Sequence, residues 1–414
     1  MKRTLLLIMT AFLFVSNGKA QVGPDITSWI LNPDSLANID TGGHGGYESN
    51  VLLVQYSATE VYVSCNSIPN YAIGPWPSNP NVPAPQHFIC EFPRNPVQNT
   101  GTPIYTYLGP MGLWSNGVAI YNPCDGNKWN NGTSSFTMGE DTTGTGWNRN
   151  ALVFEGVSFD DCLGHPDQSG CYHHHVNPKC LYNDADSTHH SPIIGYAFDG
   201  FPIYGAYGYA NATTVGAVKR MRSSYVLSTG TTRTAGPSVT TYPMGQMNED
   251  YVYTTEAGDL DAHNGRYCVT PDYPSGTYAY FVTIDSTLYP VYPFVLGRTY
   301  YGIPGNTHPH VPVIGPDTVY TGSTTGVTYQ SNTTIKYRIA PNPVENYAYI
   351  YMDITNMTNV KGSLYSTEGR IVKTIDYMQP SFAYTLDMSD LPAGTYILVF
   401  EGGGTKATEK IVKQ

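Results

Sequence analysis

The sequence predicts a mostly β protein: a large β-rich, loop-rich N-terminal and central domain, followed by a C-terminal immunoglobulin-like β-sandwich. Its 42 glycines and 31 prolines are spread along the chain and interrupt any long helical pattern. Apolar residues still make up 41% of the chain, which is enough for a core and argues against disorder. Short runs that alternate apolar and polar residues recur between turn residues, a pattern typical of β-strands.

Residues 1–20 are predicted to be a signal peptide. Lys2 and Arg3 form a basic start, an apolar run of 11 residues occupies positions 5–15, and Gly-Lys-Ala at 18–20 offers a cleavage site. The apolar run is too short for a transmembrane helix, which needs about 20 residues. We therefore expect an exported protein with no transmembrane segment.

Residues 21–315 are predicted to form one β-rich domain. Its opening part contains strand-like runs such as NVLLVQYSATEVYVSC (50–65). GLWSNGVAIYNPCDG (112–126) indicates one strand between two turns. The clearest strand pair lies late, where GRYCVT (265–270) and YAYFVTID (278–285) flank the turn-rich connection PDYPSGT.

Residues 316–334 are rich in Thr, Ser and Gly and are predicted to be a flexible linker. The rest of the chain, 335–414, is predicted to be a separate unit of six or seven short strands, an arrangement that favours an immunoglobulin-type sandwich. Its strand-like runs lie at 347–354, 362–367, 370–375, 383–388, 395–401 and 406–413.

Composition and motifs argue against several functions. The formal net charge is −11 and no dense basic patch is present, so the sequence does not favour a nucleic-acid partner. There is no GxSxG, HExxH, P-loop or GxGxxG motif, so nothing supports a serine hydrolase, a zincin or a nucleotide enzyme.

Cysteine usage fits an exported chain, in which disulfides are the default expectation. An odd count leaves at least one cysteine unpaired within the chain, and the full pairing stays open. Cys162, Cys171 and Cys180 bracket a group of histidines, and we expect one or two of them to form disulfides that fix the loops there. The seven cysteines lie at positions 65, 90, 124, 162, 171, 180 and 268.

The stretch GCYHHHVNPKC (170–180) carries three consecutive histidines. In a β-strand, side chains alternate between faces, so His173 and His175 should point the same way and His174 the other way. Their Cα atoms would lie about 6.6 Å apart, a separation that lets two imidazoles converge on one ion. The sequence therefore predicts a metal site at this pair.

Further ligands must come from neighbouring segments. His165 and His190 are the candidates, because residues 165–199 hold six of the eleven histidines. Asp199 is the candidate to hold the second nitrogen of a ligating imidazole. We expect a transition metal, copper before zinc, because nearly all the candidate ligands are imidazoles and few carboxylates lie near them in sequence.

Two alternatives to a plain metal-binding protein stay open. An ion with an open position would make the protein a metal-dependent enzyme, a hydrolase or an oxidoreductase of unknown substrate. A surface module that binds glycan or a partner protein would instead use exposed tyrosines, of which the chain has 35 in all, with the histidines only structural. The sequence does not identify a reaction or an oligomeric state.

Several long motifs occur in order between about residues 110 and 305: SNGVAIYN, FDDCLGHP, GCYHHHVNP, HSPIIGYAFDGFPIYG and LDAHNGRYCVTPDYPSGTYAYFVT. The series resembles the YHYH domain family of exported bacterial and some eukaryotic proteins. The naming motif falls on residues 172–175, with His174 where the family name has Tyr. The resemblance implies a sequence pattern and no particular reaction.

The C-terminal unit contains Pro341-Asn342-Pro343, LYSTEGRIV (364–372), LPAGTYILVF (391–400) and the terminal KIVKQ (410–414). These pieces resemble the type A C-terminal sorting domain of the type IX secretion system of Bacteroidetes-type bacteria. The resemblance implies that the type IX secretion machinery is a partner and that export passes through the periplasm. The protein would be secreted or attached to the outer surface, there to lipopolysaccharide, and removal of the domain stays open.

Overall fold

The structure is a computed structural model. The predicted signal peptide and most of the predicted linker lie outside its described residues. Strands dominate the described part, which confirms the mostly β class. Within that part, no helix is both long enough and apolar enough to cross a bilayer. The structure describes residues 22–32, 46–315, 318–321, 336–340, 342–344, 346–353, 360–378, 383–402 and 405–414.

The N-terminal and central part is built from short strands joined by turns. In chain order its first strands are β1 Val51–Tyr56, β2 Glu60–Cys65, β3 Phe88–Pro93, β4 Pro110–Trp114, β5 Ala119–Tyr121, β6 Cys124–Asn130, β7 Ser135–Met138, β8 Asn148–Asn150, β9 His165–Pro166 and β10 Tyr172–His174. The following strands are β11 Ile193–Ala197, β12 Pro202–Tyr204, β13 Tyr207–Tyr209, β14 Val218–Arg220, β15 Tyr225–Leu227, β16 Tyr251–Tyr253, β17 Gly265–Cys268, β18 Thr277–Phe281 and β19 Thr318–Tyr320. The helical segments of the described part are short: α1 Pro24–Thr27, α2 Ala151–Phe154, and 3-10 turns at Gly156–Ser158 and Asn248–Asp250.

The central feature is an eight-stranded sheet with the order β17-β18-β12-β11-β4-β5-β10-β9. Neighbours are antiparallel except for two parallel pairs, β12 with β18 and β10 with β5. Every residue of β11 and β12 is buried, so both faces of the sheet are covered at its middle. The predicted late strand pair is confirmed as β17 and β18. In segment 112–126, β5 is the predicted strand and a turn at Ser115–Gly117 precedes it. The prediction missed that Gly112–Trp114 belongs to β4 and that β6 begins at Cys124.

Tyrosine fills much of the core. A buried hydroxyl loses its hydrogen bonds to water, and a carboxylate acceptor restores one of them. In this core, buried tyrosine hydroxyls donate to aspartates over 2.6–3.0 Å. The pairs are Tyr172–Asp160, Tyr204–Asp272, Tyr278–Asp261 and Tyr280–Asp199.

A second, four-stranded sheet has the order β19-β1-β2-β3. Its edge strand β19 consists of residues that were predicted to belong to the linker, and Tyr320 pairs with Val54 of β1. The alternation of Thr318, Val319 and Tyr320 fits an edge strand. Because these three residues pair with β1, they are not part of a flexible connector. Three smaller groups complete the region, with the orders β13-β14, β15-β16 and β7-β6-β8.

The C-terminal unit has two sheets, with the orders β20-β21-β24 and β23-β22-β25-β26. Ile350 and Leu386 of the first sheet and Leu364 and Phe400 of the second belong to one buried apolar cluster, which confirms a sandwich-like arrangement. Each of the six predicted runs corresponds to a strand, and the immunoglobulin type stays a prediction. The strands are β20 Lys336–Ala340, β21 Tyr347–Asp353, β22 Val360–Ser366, β23 Ile371–Met378, β24 Ala383–Asp387, β25 Gly394–Gly402 and β26 Thr405–Lys413.

Candidate metal centre

Three histidines meet at one edge of the eight-stranded sheet. His173 lies in β10, and the antiparallel register of β10 with β9 places His165 directly opposite it. Residues directly opposite in such a pair present their side chains on the same face. His175 follows His173 by two positions and shares that face, as the alternation predicted. We call His165, His173 and His175 the histidine triad.

The Nε2 atoms of the triad converge. The His173 Nε2 atom lies 3.2 Å from that of His165 and 3.1 Å from that of His175. All three ligand atoms lie within 4.8 Å of one another. A tetrahedral ion with metal–nitrogen bonds of about 2.0–2.1 Å holds its ligands about 3.3 Å apart, so the spacing suits one ion.

Hydrogen bonds fix which nitrogen of two imidazoles carries the proton. The Nδ1 atom of His173 lies 2.9 Å from the carbonyl oxygen of Cys171, and that of His175 lies 2.5 Å from the carbonyl oxygen of Asn122. A carbonyl only accepts, so Nδ1–H donates in both cases. The lone pair of each neutral ring is therefore on Nε2, on the side where the triad converges.

A serine hydroxyl fixes the same tautomer, with the proton on Nδ1, in His165. Ser158 Oγ donates to the carbonyl oxygen of Glu155 at 2.7 Å and lies 2.8 Å from His165 Nδ1. Because the hydroxyl proton is used on Glu155, the oxygen is left to accept from the His165 Nδ1–H. All three Nε2 lone pairs thus face one another, an arrangement that a cation stabilises.

Burial keeps the His165 and His173 imidazoles uncharged. His165, His173 and His175 are 5%, 2% and 3% exposed. Burial lowers the pKa of His165 and His173 well below the usual value, and repulsion from the neighbouring imidazoles lowers it further. Neutral imidazole is the form that binds a metal ion, so no proton has to be displaced from these two rings near neutral pH.

A carboxylate joins the triad from the end of α2. Glu155 Oε2 lies 3.2 Å from His175 Nε2 and 3.9 Å from His165 Nε2. This oxygen is buried and accepts no hydrogen bond from a described donor. Asn150 caps the start of α2 by accepting from the backbone N–H of Leu152, and this fixes the short helix that carries Glu155. Three imidazoles and one carboxylate form a complete donor set for a four-coordinate ion.

A cleft gives access to the triad from solvent. Its volume is about 570 Å³, and its lining includes all three triad histidines, Glu155 and Tyr121. The Tyr121 ring stacks on His173 with centroids 3.9 Å apart, and its hydroxyl donates to Asp167 over 2.9 Å. The cleft means that a bound ion would not be sealed inside the protein.

Comparison with known families places two domains on the chain. The family described as YHYH protein matches residues 89–293, a range that contains the whole triad. The chain therefore carries a YHYH domain. The secretion system C-terminal sorting domain matches residues 338–414 and makes this a protein of the type IX secretion pathway, secreted or attached to the outer surface. No curated protein matches the chain.

His174 occupies the third position of the naming motif in this YHYH domain. Its ring turns away from the triad, as alternation predicted, and packs against Tyr172 and Trp114 with centroids 5.3 and 6.4 Å away. Burial lowers its pKa to about 3. The Tyr71 hydroxyl lies 3.4 Å from its Nε2 atom. His174 thus belongs to the aromatic core beneath the triad.

The YHYH domain does not bring His190 to the triad. The His190 ring packs edge-on against Tyr204 and Tyr209, with centroids 5.0 and 4.8 Å away, and its Nδ1 donates to the carbonyl oxygen of Ser191. His190 lies just before β11, three strands away from β10 in the sheet order. Three strand spacings are about 14 Å, too far for a shared ion.

Asp199 likewise does not hold an imidazole of the triad. It is fully buried, and its carboxylate accepts from the Tyr280 hydroxyl at 2.6 Å and from the backbone N–H groups of Gly302 and Phe201. Burial raises its pKa to about 6, although these hydrogen bonds oppose the rise. Asp199 therefore ties β18 to the segment around Gly302.

One disulfide, Cys162–Cys180, is present within the described part of the YHYH domain. It confirms that cysteines around the histidines are bridged, and it spans 18 residues that include the whole triad. Cys171, between its two ends, is a buried free thiol. Its backbone carbonyl, rather than its sulfur, serves the site by accepting from His173.

Sequence reasoning missed the residues that complete and orient the triad. Glu155 stands in the ordinary segment VFEGVS, which carries no metal-site spacing. Ser158 and Asn122 act through a hydroxyl and a backbone carbonyl, groups that every serine and every residue offers. The motif SNGVAIYN, which contains Tyr121 and Asn122, resembled the family, but nothing in it indicated a place beside the histidines.

Replacing Ser158 with alanine tests whether the hydroxyl orients His165. Without its acceptor, the His165 ring is free to rotate or to change tautomer, so we expect metal affinity to fall about 10- to 100-fold. The measurement is a competition titration with a chelator, alongside a thermal melt of the metal-free protein. Unchanged affinity in a variant that melts like the original chain would contradict this role.

Proposed function

We propose that the histidine triad and Glu155 bind one transition-metal ion, zinc or copper. The observation that supports this is the convergence of three Nε2 lone pairs, each fixed by a hydrogen bond at Nδ1. Neutral rings in this arrangement repel one another unless a positive charge lies between them. The buried Oε2 atom of Glu155, 3.2 Å from His175 Nε2, adds negative charge on the same side, which further favours a cation.

The carboxylate of Glu155 removes the reason for preferring copper to zinc. Copper was favoured because the ligands visible in the sequence were nearly all imidazoles. A nitrogen set with one carboxylate suits zinc as well as Cu²⁺, and both form stronger complexes than manganese or Fe²⁺ with such donors. The proposal therefore includes both ions, and availability at the place of folding decides between them.

A metal titration tests the proposal. Protein produced without a histidine tag is stripped with a chelator and titrated with Zn²⁺ and, separately, with Cu²⁺ in a calorimeter. We expect about one equivalent to bind and to raise the melting temperature. Failure of both ions to bind above the level of a carboxylate-rich control protein ends the proposal.

Glu155→Gln tests the carboxylate separately from the imidazoles. The substitution keeps the shape of the side chain and removes the charge, so we expect metal affinity to fall about 10- to 100-fold with little change in the melting temperature of the metal-free protein. Asp161→Asn is a matched control, because Asp161 is an exposed carboxylate close in sequence that does not line the cleft. Equal affinity of both variants would show that Glu155 is not a ligand.

The cleft favours a second, related function, metal-dependent catalysis. An ion beside this cleft of about 570 Å³ would have space for a fifth ligand, water or substrate, in addition to the four protein donors, whereas a closed four-coordinate structural site has none. Azide added to the Cu²⁺-loaded protein tests for that position, because a bound anion changes the visible and paramagnetic resonance spectra. Spectra that stay unchanged would indicate a closed, structural site.

The sorting domain supports a location outside the inner membrane. Within the proposal, export passes through the periplasm, and the protein is then secreted or held at the outer surface by lipopolysaccharide. Cell fractionation followed by immunoblotting tests this route. Accumulation of the mature chain in the cytoplasm would contradict it.

A further inference from the structure

A second cleft lies at the opposite edge of the eight-stranded sheet from the triad. It is formed around β17 and β18, has a volume of about 440 Å³ and is lined by tyrosines and polar side chains. The edge strand β17 and the triad strand β10 are six strand spacings apart in the sheet order, which is about 29 Å. The two clefts are therefore separate sites.

Tyr267 provides an open aromatic surface in this cleft. It is 65% exposed, and its ring lies over Gly276, where an added Cβ atom would come within 2.9 Å of the ring. Its hydroxyl donates to the Gly276 carbonyl at 3.3 Å and holds the ring in place. Gly276 also has a φ of +91°, so a side chain is disfavoured there for two reasons. The ring is supported on one side and accessible to solvent.

The aromatic wall beside Tyr267 is rigid. Tyr301 lines the cleft and stacks on the buried Tyr278 with ring centroids 3.5 Å apart and planes within 2°. Phe201 packs edge-on against Tyr301 at 5.4 Å. Rings held in this way lose little conformational entropy when a ligand binds.

The two charged groups of the cleft, Arg94 and Asp25, are fixed, and their charges cancel. Arg94 donates from Nε to Asp25 over 2.7 Å and from a terminal nitrogen to the carbonyl oxygen of Ser57. The pair presents planar donors and acceptors with cancelling charges, so the cleft favours neither an anion nor a cation. Exposed amides from Asn95 and Gln98 add further donors and acceptors to the lining.

From this combination we infer that the Tyr267 cleft binds a neutral oligosaccharide. A sugar ring presents polarised C–H groups on one face, which suit the negative face of a tyrosine ring, and hydroxyls at its edge, which suit planar amide, carboxylate and guanidinium groups. A quaternary ammonium ligand would also stack on tyrosine, but it needs negative charge that Arg94 here cancels. The site is independent of the proposed metal centre.

Calorimetric titration tests the inference, with cellohexaose, xylohexaose, mannohexaose, maltohexaose and choline as probes. Protein is kept in EDTA, so that failure of the metal proposal does not affect the result. We expect at least one hexasaccharide to bind with micromolar to millimolar affinity. Binding of choline alone, or no binding of any sugar up to about 10 mM, overturns the inference.

Variants then locate the binding. Tyr267→Ala should weaken the sugar at least about tenfold and Tyr267→Phe less than about threefold, because phenylalanine keeps the aromatic face. Tyr289→Ala is the matched control, since Tyr289 is 58% exposed and does not line the cleft. Gln98→Ala, at an exposed side chain, should also weaken binding and serves if Tyr267→Ala does not fold. Sugar affinity that is equal in the original chain and in these cleft variants overturns the inference.

Discussion

The variant His173→Ala/His175→Ala is expected to purify without bound transition metal, whereas the original chain is expected to purify with about one ion. Two of the three converging Nε2 atoms are removed, and the remaining pair, His165 and Glu155, cannot hold an ion against buffer and chelator. Elemental analysis of untagged protein measures the content directly. We expect affinity to fall by more than about a thousandfold, the largest functional effect of any change considered.

The control for this experiment is another buried histidine. His190→Ala removes an imidazole that is 3% exposed, the same burial as His175, but it lies among tyrosines away from the triad. It should lose packing energy and keep its metal. If both variants keep metal, the triad is not the metal site. If only His190→Ala loses metal, the site includes His190 and not the triad.

The part of the site that the sequence predicted is the part set by strand geometry. His173 and His175 share a face because alternation has a period of two, and the period needs no knowledge of the fold. His165 required one further fact, the register of β9 against β10, which sequence spacing alone does not determine. Its closeness in sequence nevertheless made it a sound candidate.

His190 and Glu155 show where such reasoning stops. His190 is 15 residues from His175, yet the chain leaves the edge of the sheet and returns at β11, three strands away. Glu155 is further from His175 in sequence, yet its Oε2 atom lies 3.2 Å from His175 Nε2, because the end of α2 lines the same cleft. Sequence distance ranks these two residues in the wrong order, because the sheet order, not the chain order, determines which side chains meet.

The abundance of tyrosine gave a similar partial prediction. It suggested exposed aromatic surface, and Tyr267 fits that interpretation. Several others, among them Tyr172 and Tyr280, are fully buried and donate to aspartates instead. The number of tyrosines does not show which of them are buried and hydrogen-bonded, so composition could not separate core tyrosines from ligand-binding ones. The paired aspartates also explain why Asp199, a candidate for the metal site, serves the core.

Removing the disulfide by Cys162→Ser/Cys180→Ser is expected to lower the free energy of unfolding by about 3 kcal/mol. The bridge closes a loop of 18 residues, and the chain-entropy cost that it removes from the unfolded state has that size. Urea unfolding, monitored by tryptophan fluorescence, measures the change. Because His165, His173 and His175 all lie within the loop, we also expect metal to bind more weakly, as the loop must be ordered at the moment of binding.

Cys268→Ser is the matched control for the disulfide variant. Cys268 is a buried free thiol in β17, at the far edge of the sheet from the triad, so its replacement should cost stability through packing and hydrogen bonding alone. It should leave metal affinity as it was. A disulfide variant that binds metal as tightly as the original chain would mean that strand pairing of β9 with β10 orders the triad without help from the bridge.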